Sequence, residues 1–548
     1  CTNTTGDDNT ALGYCALKAN TTASNNTAVG RSALSANTTG TENVAVGTNA
    51  LCANTTANEN TALGYNSLKQ NSTGASNTAL GFRSLNANTT GHSNTAVGVT
   101  ALCKNTTASG NSAFGRCALF DNTTGAANNT FGTESLANNT TGGCNNAFGN
   151  AALGQNTTGA NNVAMGHIAL NANTTGTQNV SIGSISSVTN TTGCYNTAVG
   201  HASLYNNSTG NNNTALGNFA LNDNTTATDN TAVGYFALKA NTTGDNNVAV
   251  GGNALLNNTT ASNNVAVGRN SLCVNTTGYD NVGIGRRALR ANISGLANVG
   301  IGSSALTANT TASGNVAVGT CAMRVNTTGA NNTAVGTTAL DVNTTGANGS
   351  AFGKSALAAN TTGASNVAVG YNALLSNTTG GENTAVGWSS QGSNTTASSN
   401  SSFGNQSLCV NTTGCCNTSI GFRSMCSNTT GDNNVALGNN ALSKNTSADS
   451  NTAVGHSALV LNTTGTRNVA LGYNTLYANT TATDQVAIGH QTLDSATTGS
   501  ENTAVGKSAL ATSTSGATNV AVGAYALCKT TTSCCNVAVG YQAGICNT

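Results

Sequence analysis

The sequence contains no proline, a single tryptophan and few charged or aromatic residues. Charged residues make up 6% of the 548 residues and aromatic residues 4%, whereas typical soluble domains contain about 25% charged residues. Disordered chains are usually rich in charge and proline, so this bias indicates order through repetition. The chain also lacks an apolar run long enough to cross a bilayer, and we expect no membrane span.

The charge balance excludes a further class of partner. The 18 basic and 17 acidic residues give a net charge of +1 and are scattered singly. A nucleic-acid-binding protein needs a basic stripe that follows the phosphate backbone, so we expect no nucleic-acid partner. A charge near zero removes the repulsion between copies and favours self-association.

One glycine recurs every 17 residues from Gly13 to Gly540, which makes thirty-two glycines without an insertion or deletion. We number each repeat from this glycine as position 0; the consensus is then G-x-x-[AS]-L-x-x-N-T-T-[GA]-x-x-N-[TV]-A-[VLIF]. A repeat this short cannot hold a helix pair or a propeller blade. It predicts an all-β fold, a parallel β-solenoid of about 32 coils, continuous over residues 1–548 and roughly 150 Å long.

Each repeat contains one short alternating segment at positions 13 to 16, which predicts a strand. Because position 16 is always apolar and position 4 is nearly always leucine, we expect these positions to face inward and form the core ladder. Its first members are Leu17, Leu34, Val29 and Val46. Position 15 is always small, which indicates either a flat coil or close contact with another subunit.

The strand cores NTAVG, NVAVG and NTALG, followed by a small residue and leucine, resemble the head repeats of trimeric autotransporter adhesins. They are also similar to the TAxGxxAL repeats of phage and giant-virus tail-fibre proteins. This resemblance covers essentially the whole chain. It implies a parallel β-roll, a homotrimer and a role in attachment.

An N-x-[ST] sequon occupies position 7 in twenty-nine successive repeats, from Asn3 to Asn479, and is lost at Ala496, Ser513 and Thr530. Two interpretations are open. The asparagines either carry N-linked glycans on a secreted protein, or point inward and form a hydrogen-bonded amide ladder. Since coils rise only about 4.8 Å, we favour the ladder. The candidate glycosylation sites include Asn20, Asn71, Asn292, Asn445 and Asn479.

The 17 cysteines are many for a cytosolic protein and indicate an oxidising compartment. Cys409 and Cys426 share position 5 in consecutive repeats, a spacing that predicts a disulfide. Two further groups flank an N-T-T-G type turn, where bridging across the turn or between chains is open. These groups are Cys409, Cys415 and Cys416, and Cys528, Cys534 and Cys535.

No catalytic constellation is recognisable in the sequence. Four of the five histidines, among them His456 and His490, occupy position 1 in separate repeats. Catalysis and metal binding need convergent groups, so we expect no enzyme, no metal and no cofactor.

The sequence therefore predicts a structural extracellular fibre or filament shaft, located outside the cell or on a virion surface. We expect it to associate as a homotrimer or as a head-to-tail filament. Because both termini lie inside the repeat consensus, the chain is expected to be either a segment of a longer fibre or a stacking unit.

The alternative is a binding module, in one of two forms. An ice-binding solenoid would use threonine ladders, but the threonines at positions 8 and 9 are adjacent and would face opposite ways on a strand. A fibre that binds cell-surface glycans or a receptor would use aromatic residues at position 1, such as Tyr235 and Trp388.

Overall fold

The computed structural model describes residues 3–546 and is a parallel β-solenoid with no helix in that range. The chain forms two compact units; the first extends to Thr277 and the second begins at Gly278. Among the described residues, each repeat contributes one three-residue strand, and 32 strands are formed.

The first unit contains β1 to β16, each at positions 14 to 16 of its repeat. Their bounds are Thr10–Leu12, Thr27–Val29, Val44–Val46, Thr61–Leu63, Thr78–Leu80, Thr95–Val97, Ser112–Phe114, Asn129–Phe131, Asn146–Phe148, Val163–Met165, Val180–Ile182, Thr197–Val199, Thr214–Leu216, Thr231–Val233, Val248–Val250 and Val265–Val267.

The second unit contains β17 to β32 at the same positions. Their bounds are Val282–Ile284, Val299–Ile301, Val316–Val318, Thr333–Val335, Ser350–Phe352, Val367–Val369, Thr384–Val386, Ser401–Phe403, Thr418–Ile420, Val435–Leu437, Thr452–Val454, Val469–Leu471, Val486–Ile488, Thr503–Val505, Val520–Val522 and Val537–Val539.

Within each unit, successive strands pair in parallel and equivalent repeat positions lie opposite one another. In the first unit Ala28 pairs with Ala45, and in the second Ala317 pairs with Ala334. The side chains of any one repeat position therefore form a column along the stack. The predicted solenoid and its 17-residue register are confirmed.

The strand faces are inverted relative to the prediction. Alanine at position 15 points inward: Ala28 is fully buried, as is Leu34 at position 4. Leu17 and Leu34 do form the core, as predicted, together with the small residue at position 3, such as Ala33.

The assignment of Val29 and Val46 to the core is wrong, because both are half-exposed on the outer face of the sheet. The alternation itself was predicted correctly, but the usual preference for burying the larger apolar residue does not hold here.

The interior is too thin for a large side chain opposite the leucine. A Cβ added to Gly300 at position 15 would lie 3.2 Å from Cγ of Leu289, which shows how closely the two sides approach. The flat-coil explanation for the small residue is therefore confirmed.

The tight coil is closed by backbone bends in the left-handed region. Gly30 at position 0 has a φ of 132°, and a Cβ there would lie 2.6 Å from the carbonyl oxygen of Gly47 in the next coil. Non-glycine residues also bend the chain, for example Ser32 at φ 61° and Leu34 at φ 47°. Such conformations are unfavourable for L-residues, so contacts between coils must compensate for them.

The glycine at position 10 has a different role from the one predicted. Gly40 does not have positive φ, contrary to the expectation for the N-T-T-G turn. A Cβ on Gly40 would instead come 2.3 Å from the carbonyl oxygen of Ala57. The coils therefore approach closely at turns that carry glycine, whereas other turns hold a buried alanine at this position, such as Ala108.

The inverted strand faces can be tested with one buried and one outward substitution. Leu238→Ala removes a fully buried side chain and should lower the free energy of local opening by about 2–5 kcal/mol. Val250→Ala, at a residue 36% exposed on β15, should cost less than about 1 kcal/mol. Hydrogen exchange of peptides spanning residues 230–260 measures both. A larger effect of the valine substitution would contradict the assignment.

Candidate functional site

The outer face of the strand column is the main surface that the fold presents. Position 16 holds a valine, leucine, isoleucine, phenylalanine or methionine, and position 14 is most often threonine or valine. Many of these apolar side chains are substantially exposed, among them Leu63 at 44%, Leu216 at 47% and Val469 at 37%. We call the side chains at positions 14 and 16 of the strands the outer sheet face. Contiguous exposed apolar surface of this kind is typical of interaction sites.

Aromatic rings stack along this face in the first unit. Phe114, Phe131 and Phe148, on β7, β8 and β9, have ring centroids 4.4 and 5.3 Å apart. Their planes are nearly parallel, at 7° and 6°. The parallel register therefore places the same residue type of successive coils in one column on the outer sheet face.

Position 1 carries a second set of exposed rings. In the second unit His456, Tyr473 and His490 stack with centroid separations of 5.4 and 5.3 Å. Tyr235 and Trp388, the residues associated with the glycan-binding alternative, are 54% and 46% exposed. The histidines thus lie in a surface column, and no group of three His, Cys, Asp or Glu within residues 3–546 is placed to hold a metal ion.

The asparagines at position 7 point inward and form an amide ladder. Asn71 is fully buried, and its Nδ2 donates to Oδ1 of Asn54 at 3.0 Å and to the carbonyl oxygen of Gly74 at 2.8 Å. Asn445 makes the equivalent bonds to Asn428 and Ala448 at 2.7 and 3.0 Å. The inward interpretation is therefore confirmed.

The other candidate glycosylation sites have the same geometry. Asn20 donates to the carbonyl oxygen of Ala23, and Asn292 donates to that of Gly295. Asn479 donates to Asn462, but its own Oδ1 is buried without a hydrogen-bond partner, because alanine replaces asparagine at 496. The ladder at position 7 thus ends at Asn479.

The threonines of the turn are divided between structure and solvent. At position 8 the hydroxyl of Thr21 donates to the carbonyl oxygen of Thr38 at 3.1 Å, and Thr174 donates to Thr191 at 3.0 Å. At position 9, Thr22 and Thr39 are exposed. Of two adjacent threonines in a turn, only the one at position 9 is therefore free to face water. The turns thus present one column of exposed threonines and not two.

Cys409 and Cys426 are adjacent, as predicted, but both are free thiols. The predicted disulfide is therefore absent from this structure. Its absence has a geometric reason: Sγ of Cys409 is directed at the carbonyl oxygen of Cys426 at 3.3 Å, and Sγ of Cys426 at that of Ser443 at 3.5 Å. Each sulfur lies against a carbonyl oxygen of the next coil, and the two sulfurs are not bonded covalently.

The two thiols differ in acidity. A hydrogen bond from Cys409 lowers the pKa of Cys426 to about 6, with a further contribution from Arg423 in the same coil, although burial opposes the shift. The same hydrogen bond, together with burial, raises the pKa of Cys409. The pair therefore loses its first proton from Cys426, and the thiolate is the reactive form of cysteine.

The remaining predicted cysteine groups are not bridged either. Cys415, Cys416, Cys528, Cys534 and Cys535 are all free, and Cys416, Cys534 and Cys535 are exposed. The backbone N–H of Cys415 donates to Asp432 at 2.7 Å. Bridging across the turn is thus absent, and linkage between chains stays a prediction.

Comparison with models of known protein families gives no match, and no curated protein matches the chain in sequence. Within the described residues, no helix is long and apolar enough to cross a membrane.

The amide ladder can be tested by replacing one nitrogen with oxygen. Nδ2 of Asn224 donates to Asn207 at 2.8 Å and to Ala227 at 3.1 Å, so Asn224→Asp would set a buried carboxylate against two acceptors. We expect a loss of roughly 3–5 kcal/mol at neutral pH. Burial raises the pKa of such a carboxyl in the folded state, so the loss accumulates as pH rises above the unfolded value near 4 and shrinks in acid.

The control is Asn211→Asp, because Oδ1 of Asn211 only accepts from the backbone of Cys194 and Asp245 occupies the same repeat position elsewhere. Thermal unfolding and hydrogen exchange at pH 4.5 and 7.5 measure both variants. Equal stability of the two at neutral pH would contradict a structural ladder.

The thiol pair predicts selective oxidation. With oxidised glutathione at pH 7, the Cys426 thiolate should attack the disulfide, and Cys409 should then displace glutathione to form a Cys409–Cys426 bond. Cys52 occupies the same repeat position between Ser35 and Lys69, and burial raises the pKa of its thiol. It should react more slowly and form no intramolecular bridge with a neighbouring coil.

Mass mapping of unreduced peptides identifies the products. In Cys409→Ser, we expect a trapped glutathione adduct on Cys426, because the second thiol that would displace glutathione is missing. Equal reactivity of Cys52 and Cys426 at pH 6.5 would contradict the assignment.

Proposed function

We propose that this chain is a structural fibre or filament shaft, of the adhesin or tail-fibre kind, that acts outside the cell or on a virion surface and associates with further copies of itself. The observation that carries the proposal is the outer sheet face, which places apolar side chains in solvent over successive coils of both units.

The size of this face supports association. Each unit has sixteen strands, which at about 4.8 Å per strand and about 10 Å per three residues cover about 770 Å². A stable interface buries about 800 Å² on each partner. One unit therefore presents almost the area that a specific protein–protein contact needs.

The charge and chemistry of the face favour another copy as the partner. The face consists mainly of neutral Thr, Val, Leu, Ile and Phe side chains, and the net charge of the chain is +1, so two copies do not repel one another strongly. Flat parallel faces with the same repeat spacing can pack in register over many coils. A homotrimer or a filament contact are both compatible with this geometry.

The surface ion pairs lie elsewhere and link adjacent coils. Arg324 and Asp341 pair at 2.9 Å, and Arg467 and Asp484 at 2.7 Å. Exposed pairs of this kind contribute little to stability. They leave the outer sheet face free of charge, which supports its use as a contact surface.

The test is the association state of the full chain after charge is placed on this face. Leu216→Lys combined with Val250→Lys adds two charges on β13 and β15, where the side chains are 47% and 36% exposed. Thr209→Lys combined with Thr243→Lys is the matched control, since both threonines are exposed at position 9. We expect analytical ultracentrifugation at micromolar concentration to show an oligomer for the parent and the control, but a shift to monomer for the first variant.

A parent that stays monomeric, or two double variants that behave alike, would contradict the proposal. Thermal hysteresis of ice growth by the monomer would favour the ice-binding alternative, and retention on immobilised glycans would favour the glycan-binding one. Circular dichroism of each variant confirms that the fold is retained.

A further inference from the structure

We infer that this chain cannot mature in a compartment that contains an N-x-Ser/Thr oligosaccharyltransferase, because sugar on the asparagine at position 7 prevents the coils from stacking. The inference is independent of the proposed function, since it concerns how the chain folds and leaves open what the folded stack contacts.

The first step is the number of acceptor sites. Position 7 carries the sequon in twenty-nine successive repeats. In most of them it reads N-T-T, a motif without proline that fulfils the acceptor rule. A chain passing an oligosaccharyltransferase before folding would therefore offer an acceptor once every 17 residues.

The second step is the placement of the same side chains after folding. From Asn20 to Asn479 every asparagine at this position is at most 2% exposed. A folded stack therefore hides the acceptor nitrogens from the enzyme, so any transfer must happen before folding.

The third step is the use of the acceptor nitrogen. Nδ2 of Asn88 donates one hydrogen to Oδ1 of Asn71 at 2.8 Å and the other to the carbonyl oxygen of Gly91 at 2.8 Å. An N-glycosidic bond replaces one of these hydrogens with a sugar carbon. The sugar would occupy the space of a buried acceptor oxygen, either Oδ1 of Asn71 or the carbonyl oxygen of Gly91. That oxygen would then lose its hydrogen-bond donor.

The turn offers no room into which the sugar could be displaced. Position 10, three residues after the asparagine, is glycine or alanine in every repeat that carries the sequon, and the alanines there, such as Ala108 at 4% exposure, are buried, so the turn accommodates at most a methyl group. A pyranose ring is far larger than one methyl group. A chain glycosylated at position 7 can therefore not close the modified coil against its neighbour.

Seven other sequons have exposed asparagines and serve as an internal comparison. They lie at positions 1, 6 and 12: Asn25, Asn138, Asn212, Asn257, Asn331, Asn348 and Asn405. Sugar on these residues is compatible with the fold. The distribution of sugar between the two sets therefore reports whether transfer preceded folding.

The experiment expresses the full chain in yeast, either in the cytosol or directed to the secretory pathway by a signal peptide, the latter with and without tunicamycin. We expect the cytosolic chain to fold, with the circular dichroism of a β-solenoid. The directed chain should carry sugar at Asn71, Asn292 and Asn445, should be retained, and should show no such spectrum. Tunicamycin should restore folded, unmodified chain.

Enzymatic removal of the sugar provides a second measurement. Peptide N-glycosidase converts the linked asparagine to aspartate, which places carboxylates in the ladder, so the released chain should still fail to fold. Refolding of the chain after this treatment would count against the ladder as the cause.

Two results would overturn the inference outright. One is secreted, folded chain with sugar at position 7. The other is secreted, folded chain with sugar only at the seven exposed asparagines, since this would mean that coils close before the enzyme reaches them. Failure of the directed chain to fold even with tunicamycin would also reject sugar as the cause.

Discussion

The buried asparagine amides are the constraint on which the rest of the structure depends. Each typical coil inserts two of them: the amide at position 7 bonds to its own turn and to an adjacent coil, and the amide at position 13 bonds to the coils on both sides. At position 13, for example, Nδ2 of Asn43 donates to Oδ1 of Asn26 and to the carbonyl oxygen of Ala57. A buried amide without partners is costly, so loss of one coil-to-coil contact affects two coils.

The exceptions show how strictly the ladder is kept. Glycine replaces asparagine at position 13 in one coil, yet the backbone N–H of Gly349 still donates to Oδ1 of Asn332. Gln485 replaces asparagine in another coil, and its Oε1 still accepts from the backbone N–H of Asn502. The backbone thus continues the contact where the side chain changes. Such amide contacts compensate for the left-handed leucine in nearly every coil.

The thin interior explains the surface. In a coil of 17 residues with one leucine in its centre, the position opposite that leucine holds only alanine, serine, glycine or, once, threonine. The larger apolar residues of the strand must then lie outside, where they form the outer sheet face. The tendency to associate with another copy is therefore a consequence of the same geometry that makes the coil flat.

Sequence alone determined the period, the strand position, the leucine core and the adjacency of Cys409 and Cys426, because a strict repeat without insertions permits only one register. It did not determine which strand face points inward. Alternation identifies two faces, and hydrophobicity favours the wrong one when a thin interior takes the small residue opposite leucine. Tertiary structure also decided that the position 7 sequons are buried and that the two thiols point along the stack. The direction of a side chain in a turn depends on left-handed φ angles at residues such as Leu34 and Ser32, which their residue types do not predict.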